Sequence, residues 1–235
     1  MSGQLFIGTS GYAYPEWKPA FYPEKTKQAD FLRYYSERLS TVEINNSFYR
    51  FPSASAMEGW RDQVPDEFRF AIKANQRITH ISRLKDVGDT VRDFAERCAA
   101  LGDKMGPILY QCPPNLKRDD DVLRAFCTTL PRAVRHAIEF RNKSWFDDAV
   151  YEILREFSVA LVLSEDGKLA TPRELTAEWA YLRLRRDDYS DDDLAEWSSW
   201  ISAQTEAGTD IFAYLKHDET GESPMRALSI LGRQT

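Results

Sequence analysis

Eight short apolar runs, at residues 5–8, 41–45, 68–73, 107–111, 136–140, 159–163, 179–184 and 210–215, punctuate this chain at intervals that leave room for a helix after most of them. Runs of this length, rich in Val, Ile, Leu and Phe and bounded by turn residues, read as strands buried on both faces. Helical spacing follows at 30–39, 56–63, 87–101, 120–130, 149–157, 191–207 and 224–231. Strand–helix alternation implies a parallel sheet, and eight such units in 235 residues predict an α/β fold of the (β/α)8 TIM-barrel class. Residues 1–235 are expected to form a single domain, with a doubly wound open sheet as the alternative. One unit is irregular. Between Leu163 and Trp179 there is little room for a helix, and Pro172 interrupts what there is, so the sixth helix is predicted to be degenerate.

Composition limits the function classes. A formal net charge of -6 and a pI near 5.3 argue against broad nucleic-acid binding, which needs a basic face. No run approaches the ~18 apolar residues of a membrane span, and the start of the chain lacks a signal-peptide pattern. Cys98, Cys112 and Cys127 are odd in number and lack metal-site spacing, which predicts reduced thiols in a cytoplasmic protein. All three read as structural thiols, with Cys112, in the loop-like Cys112-Pro113-Pro114 after an apolar strand, a slightly better candidate for a reactive one than the others. Oligomeric state is not readable.

Side chains alternate between the two sides of a strand, so each strand has a parity that faces the helices and one that enters the barrel. The helix-facing parity is apolar: Val42 and Ile44, Phe70 and Ile72, Ile138 and Phe140, Leu161 and Leu163, Leu182 and Leu184, Ile211 and Leu215. The other parity turns polar towards each C-terminal end, giving Glu43 and Asn45, Lys73, Gln111, Glu139 and Arg141, Ser164, Arg183 and Arg185, and Lys216. Charges at one end of a barrel are costly unless paired or hydrated, and together they mark an active-site mouth. Two carboxylates face five cations there, which predicts a small anionic partner, a phosphate or carboxylate. Ion pairs such as Glu43 with Lys73, or Glu139 with Arg141 or Arg183, are the architectural alternative.

At these residues the chain resembles the YecE-like family, domain of unknown function 72. The similarity is carried by Ile7 to Tyr12 with Trp17 and Phe21-Tyr22-Pro23, by the run from Val42 to Arg50, by Phe70 to Lys73 with Ile78-Thr79-His80, by Tyr110 to Pro114, and by Ala137 to Arg141 with Ser144-Trp145-Phe146. The resemblance implies a TIM barrel and no particular reaction. The chain departs from it at Arg183-Leu184-Arg185-Arg186, where the family tends towards Arg-Leu-His-Gly, at Leu215-Lys216-His217, where it tends towards Phe-Asn-Asn, and in the loop Ser164-Glu165-Asp166-Gly167.

The residues predict an enzyme acting on a small anionic or sugar-like molecule, with no choice among hydrolase, isomerase and lyase. Glu43 and Glu139 are the expected acid/base pair, and His80 the proton shuttle. Lys73, Arg141, Arg183 and Lys216 would hold the anion, and Asn45 and Gln111 would orient hydroxyls. Tyr12, Trp17, Tyr49 and Trp145 would form an aromatic rim. No cofactor or metal is expected: His136 has the helix-facing parity, and oxygen ligands at Glu43, Glu139 and Asp218 would compete with adjacent Lys and Arg. A non-catalytic ligand-binding or nucleic-acid-processing protein using the same basic mouth is the second reading. The acidic run from Asp187 to Asp193 is expected to feed a helix N-terminus.

Overall fold

The structure, a computed structural model, describes residues 2–234. Eight parallel strands close into a barrel in sequence order: β1 (Leu5–Ser10), β2 (Thr41–Ile44), β3 (Arg69–Lys73), β4 (Met105–Gln111), β5 (His136–Glu139), β6 (Ala160–Glu165), β7 (Trp179–Leu184) and β8 (Asp210–Leu215). The closing pair β8–β1 aligns Phe212 with Phe6 and Tyr214 with Gly8. Helices α1 (Phe31–Ser36), α2 (Ala54–Arg61), α3 (Gly88–Cys98), α4 (Asp120–Thr128), α5 (Asp148–Glu156), α6 (Asp191–Glu206) and α7 (Glu222–Gly232) cover it. The expected barrel is therefore the observed one.

Strand parity divides the core as the sequence predicts. The helix-facing residues, from Val42 and Ile44 round to Ile211 and Leu215, are buried against the helices in one continuous apolar layer. α3 shows how a helix meets it: Val91, Phe94, Ala95 and Cys98 recur at the three- and four-residue spacing of one helix face and are buried. A separate cluster fills the barrel itself. At its N-terminal end Phe6 stacks on Phe212 with centroids 4.6 Å apart, and Trp179 meets Phe212 edge-on at 5.8 Å. Midway, Ala71, Ala137 and Val162 on one side leave room for Tyr181 and Tyr214 on the other, whose rings lie 5.0 Å apart.

Local signals set the helix starts. Asp119 accepts a hydrogen bond from Val122 N, and Asp147 accepts one from Ala149 N. Ser190 and Asp193 form a reciprocal capping box at the start of α6, so the acidic run does open a helix. Between β6 and β7 there is no α-helix among the described residues. Thr176 instead runs beside β6, its hydroxyl accepting from Leu161 N and donating to Val159 O, both at 2.7 Å, so an extended strap covers the strand where a helix would lie. Several boundaries shift by a few residues from the sequence reading, most of all at two helix ends. α1 stops at Ser36 rather than residue 39, and the helix expected to reach 101 ends at Cys98, giving way to a 3-10 segment through Lys104.

Gly8 is required where β1 meets β2. A Cβ there would lie 1.8 Å from the Thr41 carbonyl oxygen and 2.6 Å from the Tyr35 hydroxyl. Tyr35 donates to Thr41 O and accepts from Thr9 N, so neither neighbour is free to move. Gly8→Ala is expected to cost about 2–3 kcal/mol or more, lowering the melting temperature by on the order of 5–10 °C in a thermal melt. A melting temperature equal to the parent's would show that the two strands are less tightly joined.

Candidate active site at the C-terminal end of the barrel

The polar parity converges at one end of the barrel, and its centre is Arg183. Its guanidinium is 2% exposed and lies between two carboxylates. Nε and Nη2 donate to Glu43 Oε2 and Oε1 at 2.9 and 2.7 Å, and Nη1 donates to Glu139 Oε2 at 2.5 Å. Glu43 also accepts from Ser10 Oγ at 2.8 Å, Asn45 Nδ2 at 3.0 Å and Tyr181 Oη at 2.8 Å. Gln111 Nε2 donates to both oxygens of Glu139, while its carbonyl oxygen accepts from Lys73 Nζ at 2.8 Å. The chain of contacts runs Ser10, Glu43, Arg183, Glu139, Gln111, Lys73 and joins β1, β2, β3, β4, β5 and β7.

Burial would raise the Glu43 carboxyl, but the charge and hydrogen bonds of Arg183, with those of Asn45 and Ser10, overcome it and hold its pKa at about 2. Arg183 is correspondingly pushed up: burial opposes its charge, and the two carboxylates more than offset that. Glu43 is therefore a permanent anion at physiological pH and holds no proton to give, and Arg183 has both its faces occupied. The expected ion pairs of Glu139 and Glu43 thus converge on Arg183, and neither Lys73 nor Arg141 makes one with them.

The rim holds the remaining cations. Lys73 ends β3, with Nζ 4.3 Å from the Phe48 ring centroid and no carboxylate partner among the described residues. Burial, then the charges of Arg183 and Arg185, lowers its pKa to about 8 against the pull of Glu43 and Glu139. Arg185, just beyond β7, is half-buried and makes no side-chain hydrogen bond or ion pair among the described residues. Burial and Arg183 lower its pKa. Arg141 reaches Asp166 at 3.6 Å, and Lys216 reaches Asp187 at 2.8 Å. Five cations therefore meet four carboxylates, and the excess of base is smaller than the strands alone imply. Asp166 and Asp187 lie on loops, where no strand parity reveals them.

His80 lies in a single π-helical turn, Arg77–Ile81, after β3. Its ring is 4.9 Å from Phe48, Thr79 Oγ1 is 2.9 Å from Nδ1, and partial burial with Lys73, Arg141 and Arg83 nearby lowers its pKa. Tyr49 is 75% exposed on the β2 loop. Tyr12 and Asn45 line a cavity of about 180 Å³ between the β1 and β2 loops. The aromatic rim is smaller than expected. Trp145 is 1% exposed, stacked on Phe140 at 4.4 Å and donating to Leu116 O. Trp17 is buried and donates to Asp218 O. Both close loops onto the barrel. Cys112 is buried at the end of β4, and burial followed by the charge of Glu139 pushes its thiol far above the ordinary range, so it stays protonated. His136 packs on the helix side, its Nε2 2.9 Å from Pro131 O, with burial lowering its pKa to about 4.

A larger cavity, about 510 Å³, opens at the other end of the barrel beside Phe6, Met105 and Phe212. Its cations are committed, Arg135 to Asp210 at 2.6 Å and Arg69 to the carbonyls of Asp66 and Phe68. Among the described residues no group of three or more His, Cys, Asp or Glu is placed to hold a metal ion, and no helix is long and apolar enough to cross a membrane.

Closed barrel, aromatic-filled interior and polar C-terminal mouth define a (β/α)8-barrel protein whose mouth is organised around one buried arginine. The chain belongs to the family described as "Protein of unknown function DUF72", whose model matches residues 6–234. It is 28% identical over 164 residues to the UPF0759 protein YunF of Bacillus subtilis, covering 66% of this chain and 57% of that protein. It is 27% identical over 143 residues to the UPF0759 protein YecE of Escherichia coli K12, covering 60% of this chain and 50% of that protein. The matched stretches thus span about half the length of these curated relatives. A crystal structure of a DUF72 family protein from Thermotoga maritima superposes with a TM-score of 0.85 at 24% identity, covering 97% of this chain and 98% of the other.

Replacing one carboxylate of the buried pair leaves Arg183 partly uncompensated. Glu43→Gln is expected to cost about 3–5 kcal/mol. Because the folded pKa of Glu43 lies below its unfolded value of 4.5, the stabilisation it supplies is complete above about pH 4.5 and is lost as pH falls towards 2. Denaturant titrations of parent and Glu43→Gln at pH 7 and pH 3 should therefore differ most at pH 7. An equal difference at both pH values would contradict the assignment.

Proposed function

We propose that the protein is an enzyme of the barrel mouth that acts on a small anionic molecule bearing a phosphate or carboxylate. The observation that carries this reading is Arg185, a half-buried guanidinium without a carboxylate partner among the described residues, at the end of the barrel where β7 and β8 finish. In TIM barrels this quadrant commonly binds phosphate. A guanidinium held away from bulk water offers a fork of donors to an oxyanion. Lys216 and Arg141, each tied to a loop carboxylate, supply further positive charge at the rim.

Acid/base chemistry falls to Glu139 and His80. Glu139 lies beside Gln111 and Lys73 at the floor of the mouth, whereas Glu43 has both oxygens filled by five donors and serves the framework. Asn45, Tyr12 and Tyr49 are the groups available to position hydroxyls or a ring, whereas Gln111 has both ends of its amide engaged by Lys73 and Glu139. We also place the protein in the cytoplasm, a reading supported by three buried free thiols.

The test is ligand-induced stabilisation. Inorganic phosphate and small phosphorylated acids should raise the melting temperature, whereas neutral sugars of the same size should not. At ligand concentrations 100-fold above Kd the gain is about 2.7 kcal/mol. Arg185→Gln should abolish the shift while leaving the melting temperature without ligand within about 2 °C of the parent's, since no ion pair is lost. Equal stabilisation of parent and Arg185→Gln would overturn the reading.

A further inference from the structure

We infer that Lys73 is an amine nucleophile, and that the molecule bound at this mouth carries a ketone or aldehyde carbon that Lys73 attacks to form an imine. This deepens the proposed function and rests on the mouth being a site for a small anion, with Arg185 as its anchor.

The geometry around Nζ carries the inference. A lysine at the end of a barrel strand is ordinarily paired with a carboxylate when buried, and a paired ammonium keeps its proton. Here the two nearby carboxylates, Glu43 and Glu139, are both spent on Arg183. Gln111 stands between Lys73 and Glu139, donating to the carboxylate and accepting from Nζ at 2.8 Å. A neutral carbonyl in that position orients Nζ and favours its ammonium form less than a carboxylate there would. Phe48 covers Nζ at 4.3 Å, and the Lys73 carbonyl accepts from Ser47 Oγ at 2.7 Å, fixing the strand end.

The charged neighbours pull in both directions, and burial decides between them. Arg183 and Arg185 on the β7 side disfavour the ammonium, Glu43 on β2 and Glu139 on β5 favour it, and His80 on the loop after β3 is itself depressed by Lys73. The balance, led by burial, brings Lys73 to about 8. Desolvation beside other cations is the recognised route to a reactive lysine. At pH 8 its free-amine fraction is on the order of 100-fold that of a solvated lysine.

The step balances without a cofactor or oxidant. The lone pair of Nζ forms a bond to the carbonyl carbon as the π electrons move to oxygen. A proton passes from nitrogen to that oxygen, giving a carbinolamine. One further proton is taken up, water leaves, and a protonated imine remains on Lys73. That iminium is an electron sink for a neighbouring C–H or C–C bond. His80, on the loop after β3 and close enough for its charge and that of Lys73 to interact, is the group at hand to take or return a proton.

The experiment is reductive trapping on the intact protein. Pyruvate, dihydroxyacetone phosphate and uncharged hydroxyacetone are each incubated with it at pH 8 in cyanoborohydride, and modified peptides are mapped by mass spectrometry. Lys73 should be modified at least about 10-fold faster than exposed Lys143, and its rate should rise through about pH 8 rather than near 10.5. Lys73→Arg, which keeps the positive charge, should lose the adduct and retain stabilisation by phosphate. Modification of Lys73 no faster than Lys143 overturns the inference. If phosphate still stabilises the parent through Arg185 in that case, the anion site stands and only the imine falls. Modification of Lys73 by hydroxyacetone without any stabilisation by anions leaves the nucleophile standing and removes the anion.

Discussion

A single arginine inside a closed barrel sets the charge of everything above it. Arg183 brings one positive charge to two carboxylates, so this tier carries a surplus of negative charge in a medium that solvates it poorly. The surplus must be met nearby. Lys73 reaches it indirectly through Gln111, and Arg185 sits above it with no carboxylate of its own among the described residues. Removing water from such a set gains little net stability compared with an apolar plug. What it provides is registration, because Ser10, Glu43, Gln111, Glu139, Tyr181 and Arg183 can be satisfied together only if their strands hold one stagger.

That registration is supported from below. Tyr181 belongs to the aromatic middle of the barrel and donates its hydroxyl upward to Glu43 at 2.8 Å. Tyr214 beside it exchanges a hydrogen bond with Thr41 at 2.8 Å, and Thr41 donates in turn to Arg69 O. The apolar floor and the ionic tier are thus joined through phenol hydroxyls. Small residues on β3, β5 and β6 make room for the two rings, so the packing that fills the barrel also aims the donors that fix Glu43.

The fold was legible because it depends on a period of two and on runs too short to be helices. Parity alone puts Glu43, Lys73, Gln111, Glu139, Arg183 and Lys216 at one end, since it needs only parallel strands of known direction. Pairing was not legible in the same way. That Arg183 takes both carboxylates, and that Gln111 separates Lys73 from Glu139, depends on strand stagger and rotamers, which no linear pattern encodes. Loop residues were harder still. Asp166 is turned towards Arg141 by a tight turn in which its carboxylate accepts from Lys168 N and Leu169 N. Trp145 looks like a rim aromatic in sequence, but it packs flat on Phe140 because the 3-10 turn Lys143–Trp145 folds it inward.

The loop after β3 shows where order is bought with backbone strain. Arg83, Leu84 and Asp86 all have positive φ, at 51°, 67° and 53°, a region that disfavours side chains with a Cβ. Leu84 is nevertheless buried, and Arg83 donates to Asn115 on the neighbouring loop at 3.0 Å. These contacts hold the π-turn that carries His80 beside Phe48 and Lys73. With a net charge of -6 on the chain and cations at the mouth nearly matched by carboxylates, there is no broad basic field to draw in a polyanion. If the mouth takes an anion, as proposed, selectivity rests on a few donors held at fixed positions in a partly dry site. Under the proposed function, the ligand is a small molecule that meets Arg185 and Lys73 together, and the acidic chain offers little to a nucleic-acid backbone.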